Sequence, residues 1–452
     1  MIDFNQCNPE LLSQLIEGRQ VKNLRELFDE MNIVDLADIV AELTVEEILF
    51  LFKTLRKDIS AQLFTYLPNE VKADMISSFT SGQIKSMIET LYTDDLVDFL
   101  QDLPANVIRQ ILKEADHEQR TEINLLLSFP TYSAGSLMSL DFVELKAEDS
   151  VKQAITKIKR QGKDAETIQV CFVVDELRNL VGSVSLRTIL FEEDDVLMKD
   201  IMDIDVIYAT VYDDQERVAK LMQRYDLTVC PIVNDELRLI GIVTIDDMID
   251  VLEDEVTEDI QKMAAIIPLD GSYLENSLKD IVKSRIAWLL VLMVSATLTG
   301  SIIGGFEDQI ELIPALSFFI PMIMSTSGNA GSQASAMVIR GIVVDQLDTK
   351  DVFRVLVKEM SVALLSGTVI FIANMVRVLV FMPSTDLSVH IVVSMTLFLM
   401  MIISKVVGGL LPLLAKKFNQ DPAAMAAPLI TTIVDALAML IYFSLALLWL
   451  GL

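Results

Sequence analysis

A chain of 452 residues with a mean hydropathy of +0.46 nevertheless carries a formal net charge of −29. Charge and apolarity must therefore occupy different stretches: an acidic one to about residue 285, then long apolar runs from about 286 to 452, which excludes one ordinary soluble core. The acidic balance repels phosphate and argues against nucleic acid as a partner. Three widely spaced cysteines (Cys7, Cys171, Cys230) and two histidines (His117, His390) argue against a disulfide frame, a zinc site or soft-metal transport. The ligand in excess is hard carboxylate oxygen, which suits magnesium or calcium.

The start, Met1-Ile2-Asp3-Phe4-Asn5, lacks a basic stretch followed by an apolar one, so no cleavable leader is expected. Residues from about 24 to 127 show short amphipathic helical units. Leu43-Thr44-Val45-Glu46-Glu47-Ile48, Leu67-Pro68-Asn69-Glu70-Val71 and Leu103-Pro104-Ala105-Asn106-Val107 each read as the end of one helix and the N-terminus of the next. Repeated units of this kind stack into a curved helical solenoid.

A second repeat follows. Phe172-Val173-Val174-Asp175-Glu176-Leu177-Arg178-Asn179-Leu180-Val181-Gly182 parallels Pro231-Ile232-Val233-Asn234-Asp235-Glu236-Leu237-Arg238-Leu239-Ile240-Gly241. Each reads as strand, acidic turn, strand and helix, with an amphipathic helix before it near Val151–Lys159 and Gln215–Arg224. The pattern resembles a tandem pair of CBS domains, an α/β module that often binds adenine nucleotides or ions. That resemblance implies a ribose held by Thr244 and Asp247. In the first unit Ser185 fits, Thr188 replaces the acidic residue, and Arg187 is left to face a phosphate.

The densest charge run comes next. Asp246, Asp247, Asp250, Glu253, Asp254, Glu255, Glu258 and Asp259 lie between Arg238 and Lys262 with no basic residue among them. Asp247, Asp250 and Asp254 share a helical face by steps of three and four. Two carboxylates roughly 6 Å apart repel by about 2.8 kcal/mol at an effective dielectric of ~20. The run is either a solvated acidic helix or a divalent-ion sensor in which bridging ions relieve that repulsion.

Five candidate spans follow: 286–306, 310–339, 353–382, 389–415 and 422–452. Basic connections (Lys283, Arg285; Arg340, Lys350, Arg354, Lys358; Lys416, Lys417) alternate with acidic ones (Glu307, Asp308, Glu311; Asp386). The acidic N-terminal region is therefore expected in the cytoplasm and the C-terminus outside. The second span carries Pro314, Pro321 and the run Ser325-Thr326-Ser327-Gly328-Asn329-Ala330-Gly331-Ser332-Gln333. That run means either close helix packing or, the reading preferred here, irregular backbone along a wet path. The fifth carries Pro428, Thr431, Thr432 and Asp435; the proline is expected to break the helix and free carbonyls for a cation. An ionisable residue at membrane depth marks an ion path or a buried partner, and Asp435 is the first such candidate. Glu359 and Lys405 are expected to snorkel to the nearer membrane face.

This order, with Gly328–Gln333 and Asp421-Pro422-Ala423 to Asp435, resembles the MgtE family of magnesium channels along essentially the whole chain. The resemblance implies a multidomain membrane protein, not an enzyme: an α-helical N-domain (1–132), CBS domains (133–197 and 198–250), an acidic connecting helix (251–282) and a five-helix transmembrane domain (283–452). It implies a homodimer in the cell membrane whose two Asp435 carboxylates hold a largely hydrated Mg2+, with Thr431 and Asn329 as partners. It also implies closure by cytosolic Mg2+ at Asp94 and Asp98, at Asp214, Glu216 and Asp226, and at Asp247, Asp250, Glu255, Glu258 and Asp259, with Asp421 at the mouth of the fifth span. ATP at the CBS pair, through Arg187 and Thr244, is a further expectation. The alternatives are a broader divalent channel passing calcium, cobalt or manganese, and a membrane-anchored nucleotide or ion sensor without flux.

Overall fold

A computed structural model describes residues 8–451 except 102, 104, 270, 272, 275, 344–346, 384 and 426. Cys7 and Pro104 lie outside the described residues. Internal contacts divide the chain into two units, 1–252 and 253–452.

The first unit opens with ten short helices in series, α1 (Pro9–Glu17) through α10 (His117–Leu126), among them α4 (Val45–Thr54) and α8 (Thr93–Gln101). Several of their starts, those of α1, α4 and α10 among them, are written in side-chain chemistry. At α4 the Thr44 backbone N–H donates to Glu47 Oε2 at 2.9 Å and the Glu47 N–H donates back to Thr44 Oγ1, a reciprocal cap that satisfies donors the first turn leaves unpaired. Asp116 and Gln119 do the same for α10. Each helix then turns one apolar stripe inward, so that Leu24, Leu27, Leu36, Val40, Ile48, Leu51 and Leu63 are all fully buried.

A short helix α11 (Ala134–Leu137) leads into two copies of one α/β unit. The first holds β1 (Phe142–Lys146), α12 (Val151–Gln161), β2 (Thr167–Val174), β3 (Leu180–Ser185) and α13 (Leu186–Phe191). After α14 (Met198–Ile201), the second holds β4 (Ala209–Thr210), α15 (Gln215–Arg224), β5 (Val229–Val233), β6 (Leu239–Thr244) and α16 (Ile245–Met263). In both, the first strand pairs parallel to the second and the second antiparallel to the third. The sequence repeat has a physical basis in the turn. Asp175 Oδ1 accepts from the Leu177 and Asn179 N–H groups at 2.8 and 2.9 Å, and Asn234 Oδ1 accepts from Glu236 and Arg238 at 3.0 Å each. Arg178 and Leu237 take matching left-handed conformations, φ 65° and 61°. The two turns then exchange backbone hydrogen bonds, Leu180 N–H to Leu237 O and Leu239 N–H to Arg178 O, each 3.0 Å. The helix expected over 251–282 in fact starts at Ile245, directly off β6, and ends at Met263.

The second unit holds α17 (Leu278–Gly304), α18 (Glu307–Leu312), a 3₁₀ segment Pro314–Phe319, α19 (Ile320–Val343), α20 (Val352–Phe381), α21 (Leu387–Lys417), a 3₁₀ turn Ala423–Met425 and α22 (Ala427–Leu450). Among the described residues four helices are long and apolar enough to cross a membrane: α17, α20 with its preceding turn, α21 and α22. The expected second span does not run as one element. Pro314 opens the 3₁₀ segment and α19 begins only at Ile320. The Ser325–Gln333 run, expected as irregular backbone, is continuous α-helix, because its small residues serve close packing. A Cβ built on Gly408 of α21 would collide with the Gly331 carbonyl oxygen of α19. Only glycine permits that backbone approach. Pro428 likewise does not break a helix. It sits in the first turn of α22, where its missing N–H costs nothing.

Candidate functional site

In the second unit the polar residues of α19 and α22 meet. Gly328 is the point of contact: a Cβ there would lie 3.1 Å from Thr431 Cγ2 and 3.8 Å from Asp435 Oδ1. Its lack of a side chain lets α22 bring Thr431 and Asp435 against α19, while Asn329, the next residue, is exposed. Ser325, Asn329 and Gln333, four apart, present one exposed polar face. Two of the expected pore residues, Thr431 and Asp435, are thus brought against α19 at Gly328, and the third, Asn329, is the next residue along that helix. The Pro428 carbonyl, expected to be freed for a cation, already accepts from the Thr431 and Thr432 hydroxyls at 2.9 and 3.0 Å.

Asp421 belongs to the same unit. Its Oδ1 caps the 3₁₀ turn through the Ala423 N–H at 2.8 Å, and its Oδ2 lies 2.7 Å from Lys262 Nζ. Lys262 also reaches Glu258 at 2.8 Å. Burial works against the charge on this lysine, but the hydrogen bonds to Asp421 and Glu258 outweigh it and raise its pKa. Two of the expected ion ligands are therefore joined by a tethered ammonium. Glu255 and Asp259 lie on the same stretch of α16, both half-buried.

The first unit gathers a different cluster. Asp94 and Asp95 open α8, Glu166 precedes β2, and Asp247 lies in the first turn of α16. Burial, followed by the charges of Asp247 and Asp95, pushes the Glu166 carboxyl up to about 8. Burial, then Glu166 and Asp247, holds Asp94 well above the usual carboxylate range. Asp247 is raised to about 6 by burial, with the Thr244 hydrogen bond opposing and Asp246 and Asp250 adding. Asp95 also rises to about 6, through burial and Asp247, with Asp98 adding and Lys72 opposing. It is exposed by area, so solvent screens its share of the repulsion. Asp94 Oδ1 and Glu166 Oε2 are buried without a hydrogen-bond partner, a costly state for a charged oxygen. Even so, among the described residues no three His, Cys, Asp or Glu groups converge closely enough to hold a metal ion. Sequence reading singled out Asp94, Asp98, Asp247 and Asp250 but missed Asp95, Asp141 and Glu166. Asp141 takes the Thr93 hydroxyl and N–H, at 2.5 and 2.8 Å. Glu166 stands alone in sequence, and only the fold brings it to the cluster.

The remaining expected sites are placed apart. Asp214 caps α15 by accepting from the Glu216 N–H at 3.0 Å, and Glu216 pairs with Lys220. Asp226 is in the left-handed turn beyond the far end of that helix, φ 52°, about 15 Å along the axis. Within one chain these three make no common site. Thr244 donates its hydroxyl to Asp247 Oδ2 at 2.7 Å. Ser185 and Thr188 pair at 2.8 Å beside an exposed Arg187.

Comparison with known proteins fits this arrangement. Residues 320–445 match the family model of the MgtE divalent cation transporter, 31–132 that of the MgtE intracellular N domain, and 134–194 and 198–254 that of the CBS domain. The magnesium transporter MgtE of Thermus thermophilus is 34% identical over 96% of this chain and 97% of its own. The chain belongs to the MgtE family. The magnesium transporter MgtE of Bacillus subtilis is 32% identical over 96% and 95% of the two chains. The MgtE-type soluble region is also similar to two solved structures. One is the soluble part of a magnesium transporter (TM-score 0.52, 33% identity, 55% of this chain and 97% of that one). The other is the cytosolic domain of the Mg2+ channel MgtE in complex with ATP (TM-score 0.50, 32% identity, 53% and 98%).

Proposed function

We propose that this chain is a magnesium channel of the cell membrane, working as a homodimer and closed by cytosolic Mg2+. The carrying observation is that Asp435 and Thr431 pack against Gly328, one residue from the exposed Asn329. Two such lines facing each other across a two-fold axis would give a narrow path with one carboxylate per subunit. That is too few oxygens to strip a divalent cation, and it suits Mg2+, which keeps most of its octahedral water. The membrane potential drives the ion inward at about 2.3 kcal/mol per charge per 100 mV, so no other energy source is needed. In this reading α19 crosses the membrane as a fifth span, the N-terminal domains are cytoplasmic and the C-terminus is outside, following the alternation of basic and acidic connections.

Gating follows from the carboxylates. Asp94, Asp98, Asp247 and Asp250 in one cluster, Glu255, Glu258, Asp259 and Asp421 in another, and Asp214, Glu216 and Asp226 form incomplete oxygen sets that ions and a second subunit complete. Moving a two-state gate from 1:99 to 99:1 needs about 5.5 kcal/mol of differential binding, within reach of several weak sites together. ATP at the CBS pair, near Arg187 and Thr244, would bias the same equilibrium. The test is Mg2+ uptake into proteoliposomes with Mg2+ set separately on each side. Uptake that is fast at low Mg2+ on the soluble-domain side and slow at high Mg2+ supports the proposal; no uptake at any setting sinks it.

A further inference from the structure

The second unit buries charge at one place that the line of Asp435, Thr431 and Asn329 does not use. Lys405 of α21 was expected to reach a membrane face, but only 6% of it is exposed. Residues 401, 405 and 409 recur every four and share one face of α21. Both neighbours of Lys405 on that face touch α20. A Cβ built on Gly367 would lie 3.4 Å from Met401 Cβ, and one built on Gly409 would lie 3.2 Å from Glu359 Cγ. Ala363, midway between Glu359 and Gly367, is fully buried. Lys405 is therefore held between two apolar helices, with Glu359 of α20 set against Gly409, one helical turn along from Lys405 on the same face. The other face of α21 packs on α19. The Ser404 carbonyl, one residue from Lys405, would lie 3.3 Å from a Cβ on Gly331, two residues beyond Asn329.

A fixed ammonium on the helix that backs the proposed cation path is an obstacle to a cation. No mobile salt screens it between packed helices, and its field acts doubly on a divalent ion. A buried charge that loses its partner also keeps its full desolvation cost. We propose that Glu359 is the counter-charge that cancels Lys405 beside the ion path, so that α21 adds no net positive field where Asp435 and Asn329 meet the cation. Glu359 is a positioning residue here: it acts on the ion through Lys405. The inference rests on the conduction reading above.

The test compares Mg2+ flux in proteoliposomes for wild type, Glu359→Gln and the double variant Glu359→Gln/Lys405→Met. Glu359→Gln leaves the ammonium uncompensated and is expected to cut flux at least about tenfold. The double variant removes both charges and is expected to recover to within about threefold of wild type. If the pair only held the helices together, losing both groups would be at least as damaging as losing one. A double variant no better than Glu359→Gln, or full flux in Glu359→Gln, overturns the inference. If Glu359→Gln does not assemble, the exchange Glu359→Lys/Lys405→Glu decides: regained assembly and flux uphold charge cancellation, and their absence overturns it. Absent flux in wild type would instead overturn the conduction reading itself.

Discussion

The carboxylates of the two units are held in opposite ways. In the first unit burial, and after it the charges of their neighbours, raises the pKa values of Asp94, Asp95, Glu166 and Asp247, and two of their buried oxygens have no partner. In the second, Asp435 stands beside glycine and threonine, and Asp421 is already answered by Lys262. In the proposed reading, one unit stores repulsion that an ion would relieve, and the other offers a shaped gap in which a single carboxylate would meet the ion. Substitutions should therefore act oppositely. Removing a carboxylate from the first unit should stabilise it without ions, whereas disturbing the small residues of the second should destroy it.

The largest expected effect is at the closest helix contact. Gly408→Ala places a methyl group against the Gly331 carbonyl and should cost about 3 kcal/mol or more. A lowered thermal transition of the detergent-solubilised protein would register it; an unchanged transition would mean that α19 and α21 are not held at this distance.

Next in size is the crowding itself. Glu166→Gln removes a carboxyl raised to about 8, so at pH 8 without Mg2+ the first unit should unfold several degrees higher. The extra protection that Mg2+ gives the wild type should shrink. Stability unchanged by Glu166→Gln would place Glu166 outside the repulsive cluster.

The pH dependence has a definite sign. Glu166, Asp94, Asp95 and Asp247 all have raised pKa values in the fold, so the folded state holds more protons than the unfolded state between about pH 4 and 8. Their contribution is most favourable at the acid end and is lost as pH rises toward 8. Thermal unfolding of the first unit without Mg2+ should therefore fall across that window and flatten when Mg2+ is added. A rise with pH would contradict the cluster.

The smallest expected effect is at Lys262. Its partners are about a third exposed, so the pairs contribute at most ~1 kcal/mol. Lys262→Gln frees Glu258 and Asp421 for a divalent ion, so if Mg2+ closes the protein as proposed, the Mg2+ concentration that halves uptake should fall up to about fivefold. A shift to higher Mg2+ would show that Lys262 assists ion binding instead of competing with it.

These contrasts also mark what sequence can carry. The paired CBS units were legible because Asp175 and Asn234 make the same turn by the same local hydrogen bonds, and local chemistry is written locally. Asp435 stands out in the sequence because a carboxylate in an apolar run has few reasons to be there, and the fold sets it against Gly328. The Ser325–Gln333 run was misread because small polar residues suit both a broken helix and a tightly packed one, and only Gly408, some 80 positions on, decides between them. Pro428 misled for a related reason: whether a proline breaks a helix or begins it depends on where the helix starts. Glu166 and Lys405 carry no local signal at all, since their meaning comes from partners on other elements.

The most direct test of the central claim is Mg2+ flux through Asp435→Asn, which keeps the size of the side chain and removes its charge, in proteoliposomes at low Mg2+ on the soluble-domain side. The account predicts that flux falls at least about a hundredfold while assembly and thermal stability stay close to wild type. Flux at the wild-type level would contradict it and move the ion path away from the junction of α19 and α22.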